Sequence, residues 1–148
     1  MSDRSRGYAL RVEVAAPPES LWRALIDPVL LSEWYAGEAR IDARAGGIYR
    51  VWPFRGDERE ARIDVYQPPN RLRLIYMPSA AMPAPEGVIV DDFIIDARGA
   101  VTHLCLLGSG FPRAVEYADF YHEVHKIWTR ALVRLKILAE KKQVGAAR

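Results

Sequence analysis

Between Glu116 and Lys142 the chain carries no Pro and no Gly, an unbroken stretch unlike anything that precedes it. Within it Trp128, Leu132, Leu135 and Ala139 recur at steps of three and four, which places them on one face of a helix. Upstream, short runs of alternating apolar and polar residues are split by Gly and Pro, the pattern of strands joined by turns. One long helix after many strands predicts a curved sheet wrapped around a helix, a shape that encloses space. The 148 residues suit one domain. It is expected over 7–142, with loose tails at 1–6 and 143–148.

Tyr8, Leu10, Val12 and Val14 alternate and predict a first strand, stopped by Pro17-Pro18. Pro18 suits a helix opening and Glu19 its first turn, so 19–26 is read as a helix burying Leu21, Trp22 and Leu25. Asp27-Pro28 breaks it, and a second short helix follows over 28–33. Six strands are then expected. They are a weak one at 39–43, then 48–54, 60–66, 71–77, 88–96 and 100–107. Ala45-Gly46-Gly47, Arg55-Gly56-Asp57, Gln67-Pro68-Pro69-Asn70 and Arg98-Gly99 are the turns. Pro78–Gly87 reads as a long loop able to act as a lid, and Gly108–Pro112 as the end of the last strand.

Acidic and basic residues nearly balance, with a formal net charge of +2 and no Lys/Arg cluster of the nucleic-acid-binding kind. Lys141 and Lys142 suit a helix C-terminus. No apolar segment approaches membrane-spanning length, and no signal peptide is expected. Cys105 is the only cysteine, which excludes an internal disulfide and fits a reducing cytoplasm. The expectation is therefore a cytoplasmic protein with no nucleic-acid and no membrane partner.

The motifs together resemble a known family. Val12–Trp22 is similar to the strand, Pro and Trp-bearing helix that open the START-like (SRPBCC) superfamily. Asp27-Pro28, Leu31 and Trp34 resemble its D-P-x-x-L-x-x-W signal, and Asp42–Arg50 its D-x-R-x-G-G hairpin. Gln67–Leu72 resembles its P-P-x-R-L turn, and Ser109-Gly110-Phe111 with Trp128, Leu132 and Leu135-Lys136 its ending. The best-matching branch is that of homologues of an activator of a heat-shock protein ATPase. The resemblance implies an α+β helix-grip fold: an antiparallel sheet gripping the C-terminal helix, with two short helices after strand 1. It implies no shared catalytic set. Two places depart from the pattern: Ile127 stands where the family often has Gly, and Gly108 where it often has His.

In such a fold, Trp34, Trp52, Tyr76, Phe93, Leu106, Phe120, Tyr121, His125 and Trp128 are expected to line a cavity between sheet and helix. That composition is apolar with a few polar handles. Asp91-Asp92 interrupts an apolar strand, and adjacent residues face opposite ways. If Phe93 and Ile95 face the helix, Asp91 does too, and a buried carboxylate needs a partner. Arg50, Arg62 and Arg73 are the candidates. His122 and His125 are three apart, not the four of the zinc-protease arrangement. With no cysteine to help, no metal and no cofactor is expected. His103, Cys105 and Leu107 share a partly apolar strand face that a second copy of the chain would cover.

The function expected is binding of a hydrophobic or amphipathic small molecule, such as a lipid, polyketide or aromatic metabolite. Two alternatives stand beside it. One is a cyclase/aromatase- or hydrolase-type enzyme using the same cavity, with His125, a Tyr or Asp91 moving protons. The other is modulation of a chaperone ATPase, disfavoured because a lone domain lacks the additional segment such co-chaperones carry.

Overall fold

Alternation along the chain builds seven strands into a single antiparallel sheet. The structure is a computed structural model describing residues 5–54, 58–78 and 88–146, with side chains through Lys142. The elements are β1 (Ser5–Val14), α1 (Pro18–Ile26), α2 (Pro28–Trp34), β2 (Ala36–Ile41), β3 (Ile48–Pro53), β4 (Arg59–Gln67), β5 (Arg71–Tyr76), β6 (Val90–Arg98), β7 (Val101–Pro112) and α3 (Ala118–Ala146). A short 3-10 turn, Val115–Tyr117, leads into α3. The strand order is β1-β7-β6-β5-β4-β3-β2, so β1 closes the sheet against the strand that ends nearest the long helix. This is the helix-grip arrangement expected of the sequence.

Asp27 separates the two short helices by serving both. Its N–H donates to Arg23 O and ends α1, while its carboxylate accepts from Val29 N at 2.9 Å and caps α2. The last carbonyls of α1 would otherwise be orphaned. Ala24 O accepts from Trp34 Nε1 at 2.9 Å and Leu25 O from the Tyr49 hydroxyl at 2.5 Å. The end of α1 is thus fastened to α2 and to β3 by buried aromatic donors. The C-terminal helix packs Val124, Ile127, Trp128, Ala131, Leu132, Leu135 and Ala139 into the core, widening the stripe read from the sequence.

Several boundaries differ from the sequence reading. β1 begins at Ser5, inside the expected tail, and α3 runs on to Ala146. Gly108–Pro112 does not end the last strand: β7 continues to Pro112, pairing Phe111 with Arg6 and Pro112 with Ser5. The glycines are what let it continue. A Cβ on Gly108 would lie 2.3 Å from the Tyr8 ring, because that ring lies flat over the Gly108 backbone. Pro78–Gly87, read as a lid, falls almost wholly outside the described residues. On the outer face of β7, His103 lies 3.5 Å from Glu13, Cys105 is half-buried, and Leu107 is exposed.

Two glycines make a controlled test. Gly108→Ala must displace the Tyr8 ring and is expected to cost about 2 kcal/mol of stability, whereas Gly37→Ala, with open space around it, should change stability by less than about 0.5 kcal/mol. Urea unfolding of the two variants beside the parent checks this.

Candidate functional site

The inner face of the sheet is mostly apolar, with few polar or charged residues on it. Asp91 lies on it between Ile89 and Phe93 and is 1 % exposed. Its neighbour Asp92 points outward and takes a two-pronged bond from Arg71, at 3.1 and 2.8 Å. The alternation that put Asp91 inside is therefore observed. The partners are not the arginines expected: Arg50, Arg62 and Arg73 lie on the outer face, where Arg50 pairs with Glu58 and Arg73 faces Asp64. Asp91 is instead held by two tyrosines. Tyr8 donates to Oδ1 at 2.6 Å and Tyr76 to Oδ2 at 2.9 Å.

Tyr8 reaches Asp91 because Gly108, the register partner of both residues, has no side chain. This is the position at which the sequence departs from the resembled pattern, with Gly where His is often found. Here the Tyr8 ring fills that space from the neighbouring strand and brings a hydroxyl in place of an imidazole.

A second buried charge lies nearby. Arg59, 4 % exposed, donates to the Tyr35 hydroxyl at 3.1 Å. No ion-pair contact joins Arg59 to Asp91; they act on each other through space. Tyr35 stacks on Trp128 with ring centroids 4.4 Å apart, and Phe93 meets Trp128 edge-on at 5.5 Å. The Trp128 indole nitrogen is buried and has no hydrogen-bond partner among the described residues. It approaches Asp91 closely enough to favour the charged carboxylate, but short of a hydrogen bond.

Burial dominates the electrostatics. It pushes the Asp91 carboxyl above the usual carboxylate range, against the pull of the Tyr8 and Tyr76 hydroxyls and of Arg59. Burial, and next the Asp91 charge, push Tyr8 and Tyr76 well above the ordinary phenol value, so both remain hydrogen-bond donors. Burial works against the Arg59 charge, but Tyr35, Tyr76 and Asp91 outweigh it and hold the guanidinium's proton more tightly. The cluster therefore contains a fixed cation, fixed phenol donors and one carboxyl whose charge depends on its surroundings.

Of the residues expected to line a cavity, Trp34, Tyr76, Asp91, Phe93, Leu106 and Trp128 are buried together in this interior. Phe120, Tyr121 and His125 are half-buried at its Tyr8 end. There His125 stacks on Tyr8 at 5.6 Å and Phe120 packs on Phe111 at 5.7 Å. Trp52 is not brought there. Tyr49 and Val51 take the inner face of β3, so Trp52 points outward, where Arg50 lies 4.9 Å over its ring. Three members were missed: Tyr8 and Tyr35 as polar partners, and Arg59. Arg59 shares the parity of Ala61 and Ile63 on β4, and that was its only signal. A cavity of about 210 Å3 opens beside α3, lined by Tyr35, Ile127 and charged residues of the helix.

Because the folded-state pKa of Asp91 is raised, its contribution to stability is fully present below the unfolded value, near 4, and is lost as pH rises through the folded value. The stability advantage of the parent over Asp91→Asn should therefore shrink as pH increases from about 4 upward. Urea unfolding across that range measures it, and a constant difference would mean an unperturbed carboxyl.

Comparison with known proteins places this architecture. Among solved structures, protein MLL2253 from Mesorhizobium loti is 23 % identical, with a TM-score of 0.79 over 92 % of this chain and 98 % of that one. Protein CV1439 from Chromobacterium violaceum is 25 % identical, with a TM-score of 0.71 over 90 % of this chain and 96 % of that one. The Aha1 dimer from Colwellia psychrerythraea is 18 % identical, with a TM-score of 0.79 over 91 % of this chain and 96 % of that one. No curated protein matches significantly. The family model described as activator of Hsp90 ATPase homolog 1-like protein matches residues 15–140. Sharing that profile from the end of β1 to the last turns of α3, on a helix-grip fold, the chain belongs to the activator of Hsp90 ATPase homolog 1-like family.

Proposed function

We propose that this chain binds a hydrophobic or amphipathic small molecule between the sheet and α3, with the ligand's polar end on the Asp91 cluster. The observation that carries this reading is a set of ionisable and hydrogen-bonding groups buried in an otherwise apolar interior, with one indole donor left over. Stability does not call for such a set. Buried charges replaced by well-packed apolar groups of similar volume often leave a protein as stable or more so. Small-molecule sites have this composition: apolar and aromatic walls with a few placed polar groups. Groups with shifted proton affinities gather at such sites more than elsewhere.

Each member has a part. Trp128, Phe93 and Tyr35 offer flat apolar contact. The Trp128 indole offers a donor to a carbonyl or ether oxygen. Asp91 accepts from a ligand hydroxyl when charged and donates to a carbonyl when protonated. The same carboxyl favours a second reading, proton transfer to or from a bound substrate, since burial moves it toward the range where a general acid works.

Native mass spectrometry of protein purified without detergent is the test. A bound small mass that disappears on denaturation is expected, with occupancy reduced about tenfold in Asp91→Asn through loss of a charge-assisted hydrogen bond. Apoprotein alone, together with no uptake of a hydrophobic fluorescent probe, would end the proposal. Conversion of the bound mass during incubation, abolished in Asp91→Asn, would favour catalysis over binding.

A further inference from the structure

Tyr35 belongs to two places at once. Its hydroxyl accepts from Arg59 and its ring covers Trp128, yet it also lines the cavity of about 210 Å3 beside α3. Among the described residues the rest of that lining is Ile127 and four charged side chains of the helix: Glu123, Lys126, Arg130 and Arg134. Tyr35 and Ile127 are nearly inaccessible while the charged residues are exposed, so the two form the floor and the charges the rim.

Lys126, Arg130 and Arg134 follow one another at four-residue intervals and form a row along α3. Among the described residues, Glu123 is the single opposing charge of the lining. Arg134 is committed to structure: its Nε donates to Trp34 O at 2.8 Å, and its guanidinium stands 5.7 Å from the Phe54 ring centroid. Lys126 and Arg130 make no ion pair among the described residues. Two uncommitted cations therefore border a recess with an aromatic and aliphatic floor. A partner for such a recess has an apolar body and one anionic end.

We propose that this cavity takes small organic carboxylates, with the carboxylate at Lys126 and Arg130 and the apolar body on Tyr35 and Ile127. The inference takes from the reading above only that the chain binds a small molecule, and it places an anionic end at the rim of α3, apart from the polar end assigned to the Asp91 cluster. The row also sets a direction. A molecule held at the rim lies along α3, with its body on the floor formed by Tyr35 and Ile127.

The test uses two probes of one shape, 2-naphthoate and 2-naphthamide, titrated into the full-length chain while the tryptophan indole N–H signals are followed by NMR. Tyr35 covers Trp128, so a ring on that floor shifts the Trp128 signal. The acid should bind about tenfold more tightly than the amide. Lys126→Gln combined with Arg130→Gln should remove that preference and leave amide binding unchanged. Both positions are exposed on the helix and Gln is a good helix former, so the fold survives the change. Equal binding of acid and amide, or an acid preference untouched by the double substitution, overturns the carboxylate assignment and spares the small-molecule reading. If neither naphthalene binds at all, the carboxylate assignment is overturned, and the small-molecule reading stands or falls on native mass spectrometry.

Discussion

The carboxyl of Asp91, buried under the long helix and held by two tyrosine hydroxyls, is the interaction on which the interior of this protein depends. A carboxylate taken out of water without partners is too costly to keep. Its partners come from distant parts of the chain, Tyr8 from β1 and Tyr76 from β5, so satisfying one side chain ties three strands together. β1 has to close the sheet beside β7 for Tyr8 to arrive, and Gly108 has to lack a side chain for the ring to pass. The demand of one buried group thus explains a strand order, a glycine and the orientation of two aromatic rings.

Around that point the aromatic residues serve two ends. Trp34 and Tyr49 use their polar atoms to close the carbonyl end of α1, and their rings are core. Tyr8, Tyr76 and Tyr35 use theirs on charged groups, Asp91 and Arg59. Trp128 alone among these keeps an unspent donor, although its ring packs against three others, Tyr35, Trp34 and Phe93. Close packing fixes the ring and leaves its N–H pointing at the polar cluster. A rigid donor of that kind costs no reorganisation when a ligand oxygen arrives.

Much of this was legible in the sequence because it follows from local periodicity. The apolar steps of α3, the Asp27-Pro28 break and the inward parity of Asp91, Phe93 and Ile95 are properties of short segments, and each holds in the structure. Parity also carried the information that Trp52 faces out, opposite Tyr49 and Val51. Grouping it with the interior aromatics gave weight to residue type over register. Arg59 went unnoticed because a charged residue at a strand start is ordinarily solvated, and only its shared parity with Ala61 marked it. The glycine-rich run at 108–112 looked like a strand end. Glycine breaks strands on propensity, but here its missing side chain admits Tyr8, and the pairing with β1 carries the strand on.

The sequence alone determined the class of fold and the identity of the helix that the sheet grips, since both depend on repeats of two and of three to four residues that any window of the chain displays. Only the tertiary structure decided which groups share the interior. Tyr8, Arg59, Tyr35, Asp91 and Trp128 are spread over most of the chain, and their meeting depends on strand order, on register and on one absent Cβ. Those are relations between segments, and no pattern within a segment encodes them.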